Sequence, residues 1–183
     1  MYKRQYRDLP LSNKGELHFF VDTASFRGAE GFVRQEIYTV LDARQLQFVP
    51  EGGQFVAQVD LTVRIFDSAG VEVTSETWTR NVSVESLRAL RETAAPVKDI
   101  IGFDLRPGAY RMTVTIEDIY GDKQGTCEAV LGEHAFEGGV MTTSEVLFAS
   151  SLDRGEEEGR FVKHGWQVLP NTTRGYRAGN PLY

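Results

Sequence analysis

Apolar and polar residues alternate with a period of two along two segments of this chain. Between residues 55 and 66 the odd-numbered positions are apolar: Phe55, Ala57, Val59, Leu61, Val63 and Ile65. Between residues 110 and 117 the even-numbered positions are apolar: Tyr110, Met112, Val114 and Ile116. Successive side chains of a strand point to opposite faces, so each segment is predicted to form a strand with one buried and one solvated face.

Turn-forming residues adjoin both segments. The Asp-Ser-Ala-Gly sequence at 67–70 predicts a hairpin into a partner strand that runs from Val71 towards Trp78 and Val82. Pro107-Gly108 predicts a second turn, in which proline presets a negative φ and glycine supplies a positive one. Tyr110 then opens the next strand, which is typical of the corner of immunoglobulin-like sandwiches, where the phenol hydrogen-bonds to backbone upstream.

Shorter apolar segments predict the remaining strands. They cover residues 17–22, 32–40, 46–49, 103–105, 126–131, 142–152 and 161–169. Residues 83–91 have helical spacing with Ser83 as the N-cap, and the helix should end before Pro96. We therefore predict an all-β fold, an immunoglobulin-like antiparallel β-sandwich with one short helix and extended termini. The predicted parts are an N-terminal arm over 1–15, the sandwich over 16–170 and a C-terminal tail over 171–183.

Composition and charge narrow the class of protein. The 183 residues are 41% hydrophobic and 25% charged, which is typical of a globular protein, and the formal net charge is -6. An acidic chain argues against a nucleic-acid partner, which needs clustered cations. No apolar segment approaches the roughly 20 residues of a membrane-spanning helix. The basic start of the chain leads into no apolar core, so no signal peptide is predicted.

No combination of residues predicts catalysis. His18, His134 and His164 lie far apart and lack metal-ligand spacing. Neither a Gly-x-Ser-x-Gly motif nor a phosphate-binding glycine-rich loop occurs. Cys127 is the only cysteine, so no intrachain disulfide can form, and its apolar strand favours a small buried side chain over a reactive thiol. We predict a protein that is not an enzyme, with no cofactor.

Acidic residues near one predicted hairpin allow two interpretations, one of which is a metal site. Glu117, Asp118 and Asp122 converge there and could offer oxygen ligands to Ca²⁺. The alternative is an aspartate at a strand end that caps its turn by accepting hydrogen bonds from backbone N–H groups. The Glu-Glu-Glu sequence at 156–158 predicts a solvated loop.

Four aromatic residues also allow two interpretations, one of which is a carbohydrate-binding site. Trp78 and Trp166, with Tyr38 and Tyr120, could form a stacking platform for a carbohydrate, since sugar C–H faces pack on aromatic rings. The alternative is that these large side chains fill the core, as a sandwich of this size requires.

Several segments occur in an order and spacing similar to those of one bacterial family. They are residues 20–28 (Phe-Val-Asp-Thr-Ala-Ser-Phe-Arg-Gly), 36–38, 46–49, 63–67, 103–110, 116–118, 161–163, 170–176 and 180–183. Together they resemble the amino-terminal β-domain of the bacterial proteins named for a Gly-Trp-x-Thr-Asp (GWxTD) motif. The motif itself is absent, because Gly165-Trp166 is followed by Gln167-Val168, and family members continue into a second β-domain. The resemblance implies a β-domain of an exported, extracytoplasmic protein and supplies no catalytic residue.

The two ends of the chain are predicted to make contacts with partners. Their aromatic and apolar residues are Tyr2, Tyr6, Leu9 and Leu11 at the start, and Leu182 and Tyr183 at the end. Exposed strand edges recruit other strands, so either end could add to a neighbouring subunit. The predicted function is a non-catalytic protein-protein interaction or assembly module that binds a protein partner or self-associates. A carbohydrate-binding module, with a glycan as partner, is the alternative.

Overall fold

The computed structural model describes residues 13–92, 96–132, 136, 142–155 and 159–176. Within them, the strands in chain order are β1 (Asn13–Gly15), β2 (Phe19–Arg27), β3 (Val33–Asp42), β4 (Val49–Glu51), β5 (Gln54–Phe66), β6 (Glu72–Val84), β7 (Pro96–Leu105), β8 (Tyr110–Asp118), β9 (Lys123–Leu131), β10 (Ala149–Arg154), β11 (Val162–Lys163) and β12 (Trp166–Pro170). One α-helix, α1 (Leu87–Glu92), follows β6. Strands dominate the described residues, so the predicted all-β class is confirmed.

The first sheet is built around β5. This strand pairs antiparallel with β6 along one side, and with β8 and the short β4 along the other. β9 follows β8, and β1 pairs with β9, where Asn13 lies opposite Cys127. The resulting order across the sheet is β6, β5, β8, β9 and β1, with β6 at one edge.

The second sheet has β3 at its centre. β2 pairs antiparallel with one side of β3, with Val21 opposite Thr39, and β7 pairs with the other side, with Ile37 opposite Ile101. Only the last residues of β7 were predicted as a strand, whereas the strand spans ten residues. The segment from β4 to β6 is therefore inserted in the sequence between two neighbouring strands of this sheet.

The first and second sheets face each other across one apolar core. The first sheet contributes Ala57, Val59, Leu61, Val63, Ile65, Met112, Val114, Ile116 and Cys127. The second sheet contributes Phe19, Val21, Ile37, Leu41, Phe103 and Leu105. Every inward residue predicted for β5 is buried except Phe55, which packs partly buried against the cluster. The chain is an all-β sandwich as predicted, and its immunoglobulin-like classification stays a prediction.

A third sheet, of β10, β12 and β11, packs against the second sheet by polar contacts. The Lys163 Nζ lies 3.1 Å from the Tyr38 Oη and also forms an ion pair with Glu36. Four residues beyond β12, the Arg174 Nη2 lies 2.8 Å from Asp22 Oδ1 of the second sheet. No described residue of this sheet belongs to the apolar cluster between the first two sheets, although Ala149 is buried. The sequence predicted strands here but not a separate layer.

Two predicted boundaries were wrong. β6 continues through Ser83, so the N-cap is not Ser83 but Ser86, whose Oγ accepts a hydrogen bond from the Ala89 N–H at 3.1 Å. The strand predicted over 142–152 begins only at Ala149, because the preceding residues bond to β2 through single contacts such as the Glu145 N–H to the Ser25 carbonyl. The described residues contain no helix long and apolar enough to cross a membrane.

The corner at Tyr110 forms the contact that the sequence predicted. The Tyr110 Oη donates a hydrogen bond to the Arg106 carbonyl oxygen at 3.0 Å. Gly108, however, does not have a positive φ, so that part of the prediction was wrong. A Cβ at Gly108 would lie 3.5 Å from the Tyr110 ring, an ordinary contact, so this turn does not require glycine.

Tyr110→Phe should therefore lower the free energy of unfolding by about 1 kcal/mol, the usual net value of one hydrogen bond. Urea denaturation measures this as a lower midpoint with an unchanged slope. Tyr120→Phe is the matched control, because Tyr120 is exposed and makes no hydrogen bond within the described residues. Equal losses in the two variants would show that the corner contact does not stabilise the fold.

Candidate interaction surface

Among the described strands of the first sheet, β6 is the longest that is paired on one side only. Eleven of its thirteen residues pair regularly with β5, from Phe55 opposite Val84 to Ile65 opposite Thr74. Along its other side, no described strand pairs with β6. At the opposite edge of the same sheet, residues Asn13–Gly15 add to β9 as a short strand. The backbone edge of β6 is therefore the larger open edge of this sheet within the described chain.

β6 has some of the features that keep strand edges from pairing and lacks others. Natural edges are blocked by proline, by charged side chains and lysine above all, by inward-pointing charges, by shortness or by bulges. The core-side row of β6 does carry charges, at Glu76 and Arg80. β6 contains neither proline nor lysine, and several of its residues are valine or threonine, which favour strands. One bulge interrupts the pairing near Val73, between Ile65 and Phe66 of β5. Residues 74–82 remain regular, so this part of the edge is suited to accept another strand.

The side chains of β6 divide into two rows. Trp78 lies opposite Leu61 on the face towards the core, and Glu76 and Arg80 share that face at two-residue spacing. Thr77 and Thr79 point to the opposite, outer face. Glu76 is exposed and makes no hydrogen bond or ion pair within the described residues. The edge thus presents a carboxylate without a local partner two residues before the indole.

A buried carboxylate anchors β6 to the second sheet. Asp99, on β7, is 1% exposed. Its oxygens accept hydrogen bonds from the Trp78 Nε1 at 2.8 Å and the Arg80 Nε at 2.6 Å. Arg160 adds a second guanidinium, with its Nη1 at 2.7 Å, and the Ile100 N–H donates at 2.9 Å. Three side chains and one backbone group therefore converge on one carboxylate beneath the edge.

These donors control the ionisation of Asp99. Burial opposes the charged carboxylate, but the hydrogen bonds from Arg80, Trp78 and the backbone outweigh burial. They hold the pKa of Asp99 below its ordinary value of 3.8. The carboxylate is thus charged at neutral pH, and it fixes the orientation of the Trp78 and Arg80 side chains. Sequence reasoning missed Asp99 because one acidic residue in an otherwise apolar row carries no signal of its partners.

The outer face of the first sheet carries a row of hydroxyl groups. The row runs across four neighbouring strands through Thr77, Thr62, Thr115 and Thr126. The Thr62 and Thr77 hydroxyl oxygens lie 2.9 Å apart, and those of Thr115 and Thr126 lie 3.4 Å apart. This arrangement explains why the outer face tolerates solvent, as the alternation in β5 and β8 predicted.

The residues predicted to contact partners at the chain ends fall outside the described residues. They are Tyr2, Tyr6, Leu9, Leu11, Leu182 and Tyr183. Next to them, Asn13–Gly15 form β1 on the first sheet. At the other end, the Tyr176 Oη donates to the Ala149 carbonyl at 2.8 Å, and Thr172 is buried. Both flanking segments are packed against the body of the protein.

The aromatic residues are distributed over different layers. Trp78 belongs to the first sheet and packs partly buried against the core, while Trp166 belongs to the third sheet and stacks with Arg154, whose Cζ lies 4.3 Å from its ring centre. Tyr38 is buried, and burial together with the hydrogen bond to Glu36 raises the pKa of its phenol. Tyr120 is exposed in a turn. Trp78, Tyr38 and Trp166 thus belong to three different sheets, and a carbohydrate platform formed by these rings stays a prediction.

The three carboxylates considered for a metal site differ in their burial. Asp118 is fully buried, and its Oδ2 accepts a hydrogen bond from the Gln47 N–H at 2.7 Å, while Oδ1 has no partner within the described residues. Glu117 and Asp122 are exposed. Asp118 does accept from backbone, but from a distant loop rather than its own turn. The described residues contain no group of three or more metal-ligating side chains.

The histidines are also separated. His18 precedes β2, where its backbone N–H and carbonyl bond to the Gln45 side chain, and His164 lies in the turn between β11 and β12. His134 and the glutamates at 156–158 are outside the described residues. A groove of about 620 Å³ lies open to solvent beside Phe66, Arg111, Glu128 and Val130, without a histidine. Nothing in this groove forms a nucleophile and base pair.

Cys127 should be inert in the folded protein. It is 1% exposed, and burial with the nearby Glu128 raises the pKa of the thiol to about 11. Because the thiolate is the reactive form, a disulfide reagent at neutral pH should label Cys127 only as fast as the protein unfolds. Rapid, complete labelling in buffer, at the rate seen in concentrated denaturant, would contradict this placement.

Comparison with known proteins adds no family. No family model matches this chain, and no curated protein matches it.

Proposed function

We propose that this protein is a non-catalytic β-sandwich module that binds other proteins by accepting a strand at the edge of β6. The observation that carries the proposal is a thirteen-residue strand paired on one side only, without proline or lysine, among the described residues. An extended segment that adds to such an edge gains backbone hydrogen bonds, and alternate side chains supply specificity.

The edge is also held in position, which favours binding. The hydrogen bonds from Trp78 and Arg80 to Asp99 hold β6 against the second sheet, so a partner strand would bind to an ordered template. Binding to a template that is already ordered avoids part of the conformational entropy cost of association. The arrangement therefore supports strand addition more than contacts through a loop.

We further propose that the module works outside the cytoplasm of a bacterium, in the periplasm or at the cell surface. The support is the resemblance to the β-domain of GWxTD proteins, which implies export. Tyr2, Tyr6, Leu9, Leu11, Leu182 and Tyr183 remain candidates for additional contacts with a neighbouring subunit. The carbohydrate-binding alternative has less support, because Tyr38 is buried and the indoles of Trp78 and Trp166 belong to different sheets.

A peptide with the sequence of residues 72–84 tests strand addition directly. With peptide at tenfold its dissociation constant, amide hydrogen exchange at alternate positions of β6 should slow by about tenfold. The amides of β8, which are paired on both sides, should keep their rates. A scrambled peptide is the control. Exchange in β6 that is unaffected by any bound peptide would refute the proposal.

A further inference from the structure

We infer that the partner strand that fits the edge of β6 is β6 of a second copy of this chain. The two strands are antiparallel, and residue 78 of one copy faces residue 78 of the other across a two-fold axis. This inference rests on the proposed function, because it names the occupant of the same edge. The argument depends on how the charges of β6 are distributed around the middle of the strand.

Two copies of one strand can pair antiparallel only about a two-fold axis. In such a pair, the residue numbers of any two facing residues add up to the same total. Facing side chains point to the same side of a sheet, so an even total places core-side residues opposite core-side residues. Both sandwiches then lie on the same side of the joined sheet. When Trp78 faces Trp78 of the second copy, Thr74 faces Val82, on the regular side of the bulge at Val73. The regular residues 74–82 then face one another end to end.

The same register places opposite charges together. Glu76 of each copy faces Arg80 of the other, which gives two symmetric ion pairs on the core-side face. Shifting the register by four residues in either direction places Glu76 opposite Glu76, or Arg80 opposite Arg80. Like charges directly opposite one another are destabilising, whereas opposite charges stabilise a cross-strand pair. Shifts of two residues pair neither charge with its opposite.

Both charged groups can take part without giving up their present contacts. Glu76 is exposed and has no partner within the described residues. The Arg80 side chain is 30% exposed and uses its Nε and Nη2 for Asp99 and its Nη1 for the Thr79 carbonyl. A guanidinium has five N–H groups, so donors remain for a carboxylate from the second copy.

The outer face agrees with this register. Thr77 of each copy faces Thr79 of the other, and facing β-branched residues are favourable cross-strand neighbours. The first sheets of the two copies would then form one continuous sheet through the paired β6 strands. The open edge of each sandwich is thereby removed, which is the usual benefit of edge pairing.

Sedimentation equilibrium tests the partner. We expect a concentration-dependent monomer-dimer equilibrium for the wild-type chain. Glu76→Arg places two arginines opposite each other at both ion pairs, so the dissociation constant should rise at least about tenfold. Glu128→Arg makes the same change of charge at an exposed position of β9, and it should leave the constant within about twofold. A dimer that responds equally to both variants would overturn the inference.

Cysteine cross-linking tests the register. Thr77→Cys and Thr79→Cys, each in a separate chain, should form a disulfide when the two variants are mixed, since facing Cβ atoms lie about 4.5–5.5 Å apart. Neither variant should cross-link to itself. A self-linked Thr77→Cys dimer or a self-linked Thr79→Cys dimer would reveal a register shifted by two residues and would overturn the inference. The buried Cys127 stays out of this reaction.

The two proposals fail separately. A strictly monomeric wild-type chain refutes the second copy as the partner, yet slowed exchange of β6 with the 72–84 peptide would still support strand addition. A monomeric chain that binds the peptide without slowed exchange in β6 refutes both. A dimer in which alternate β6 amides do not become protected refutes the second copy at this edge.

Discussion

Asp99→Ala should lower the free energy of unfolding by about 3 kcal/mol, the order expected when one partner of a buried ion pair is removed. The Trp78 N–H would lose its acceptor at 2.8 Å, and the Arg80 guanidinium would lose its carboxylate. Arg80 and Arg160 are partly exposed, so they regain some hydration and the loss stays at the lower end of the range. Chemical denaturation followed by far-ultraviolet circular dichroism measures the change.

Asp99→Asn separates charge from shape and has a characteristic pH dependence. Because the folded pKa of Asp99 lies below 3.8, the unfolded chain binds this proton first as the pH falls. The stabilisation by the carboxylate is therefore present above the unfolded pKa and is lost as the pH falls through the folded pKa. The variant lacks this contribution, so its unfolding free energy should fall less than that of the wild type between about pH 5 and pH 2. Parallel curves would contradict the assigned role.

Ile116→Ala should cost about 3 kcal/mol of unfolding free energy, because it leaves a cavity in the centre of the sandwich. Ile116 is 1% exposed and lies between Leu61 of β5 and Gly125 of β9. Thermal and urea unfolding both report the loss. Ile119→Ala removes the same side-chain atoms at a 40% exposed position one residue beyond β8, and it should cost less than about 1 kcal/mol.

The parts of the fold that could be read from the sequence are those where one face is buried and the other is wet. In β5 and β8 the alternation of apolar and polar residues reproduces the burial pattern. The hairpin at 67–70 was equally readable, because Asp67 accepts hydrogen bonds from the Ala69 and Val71 N–H groups, as a turn aspartate does. Local chemistry was sufficient for these elements.

β7 and the third sheet were harder to predict from the sequence for a physical reason. The inward row of β7 contains Asp99 among apolar residues, and its outward row includes Ile100 on the face that the third sheet approaches. The alternation of apolar and polar residues along β7 is therefore weak. The third sheet is attached through ion pairs such as Lys163 with Glu36, and a charged residue in a strand usually indicates solvent.

The candidate surface was only partly predictable. The sequence indicated exposed strand edges but placed the contacts at the chain ends, and no periodicity reveals which strand lies at the edge of a sheet. That property depends on strand order, here on the pairing of β5 with β8 on the side away from β6. The position of Glu76 and Arg80 on the open edge followed only once the order was known.

The insertion of β4, β5 and β6 between β3 and β7 has a consequence for biosynthesis. As the chain emerges from the ribosome, the β2–β3 hairpin precedes β7, and Leu41 cannot meet Val97 until the whole insertion has been translated. Vectorial synthesis thus exposes one side of β3 during the interval, and distant pairings of this kind slow folding.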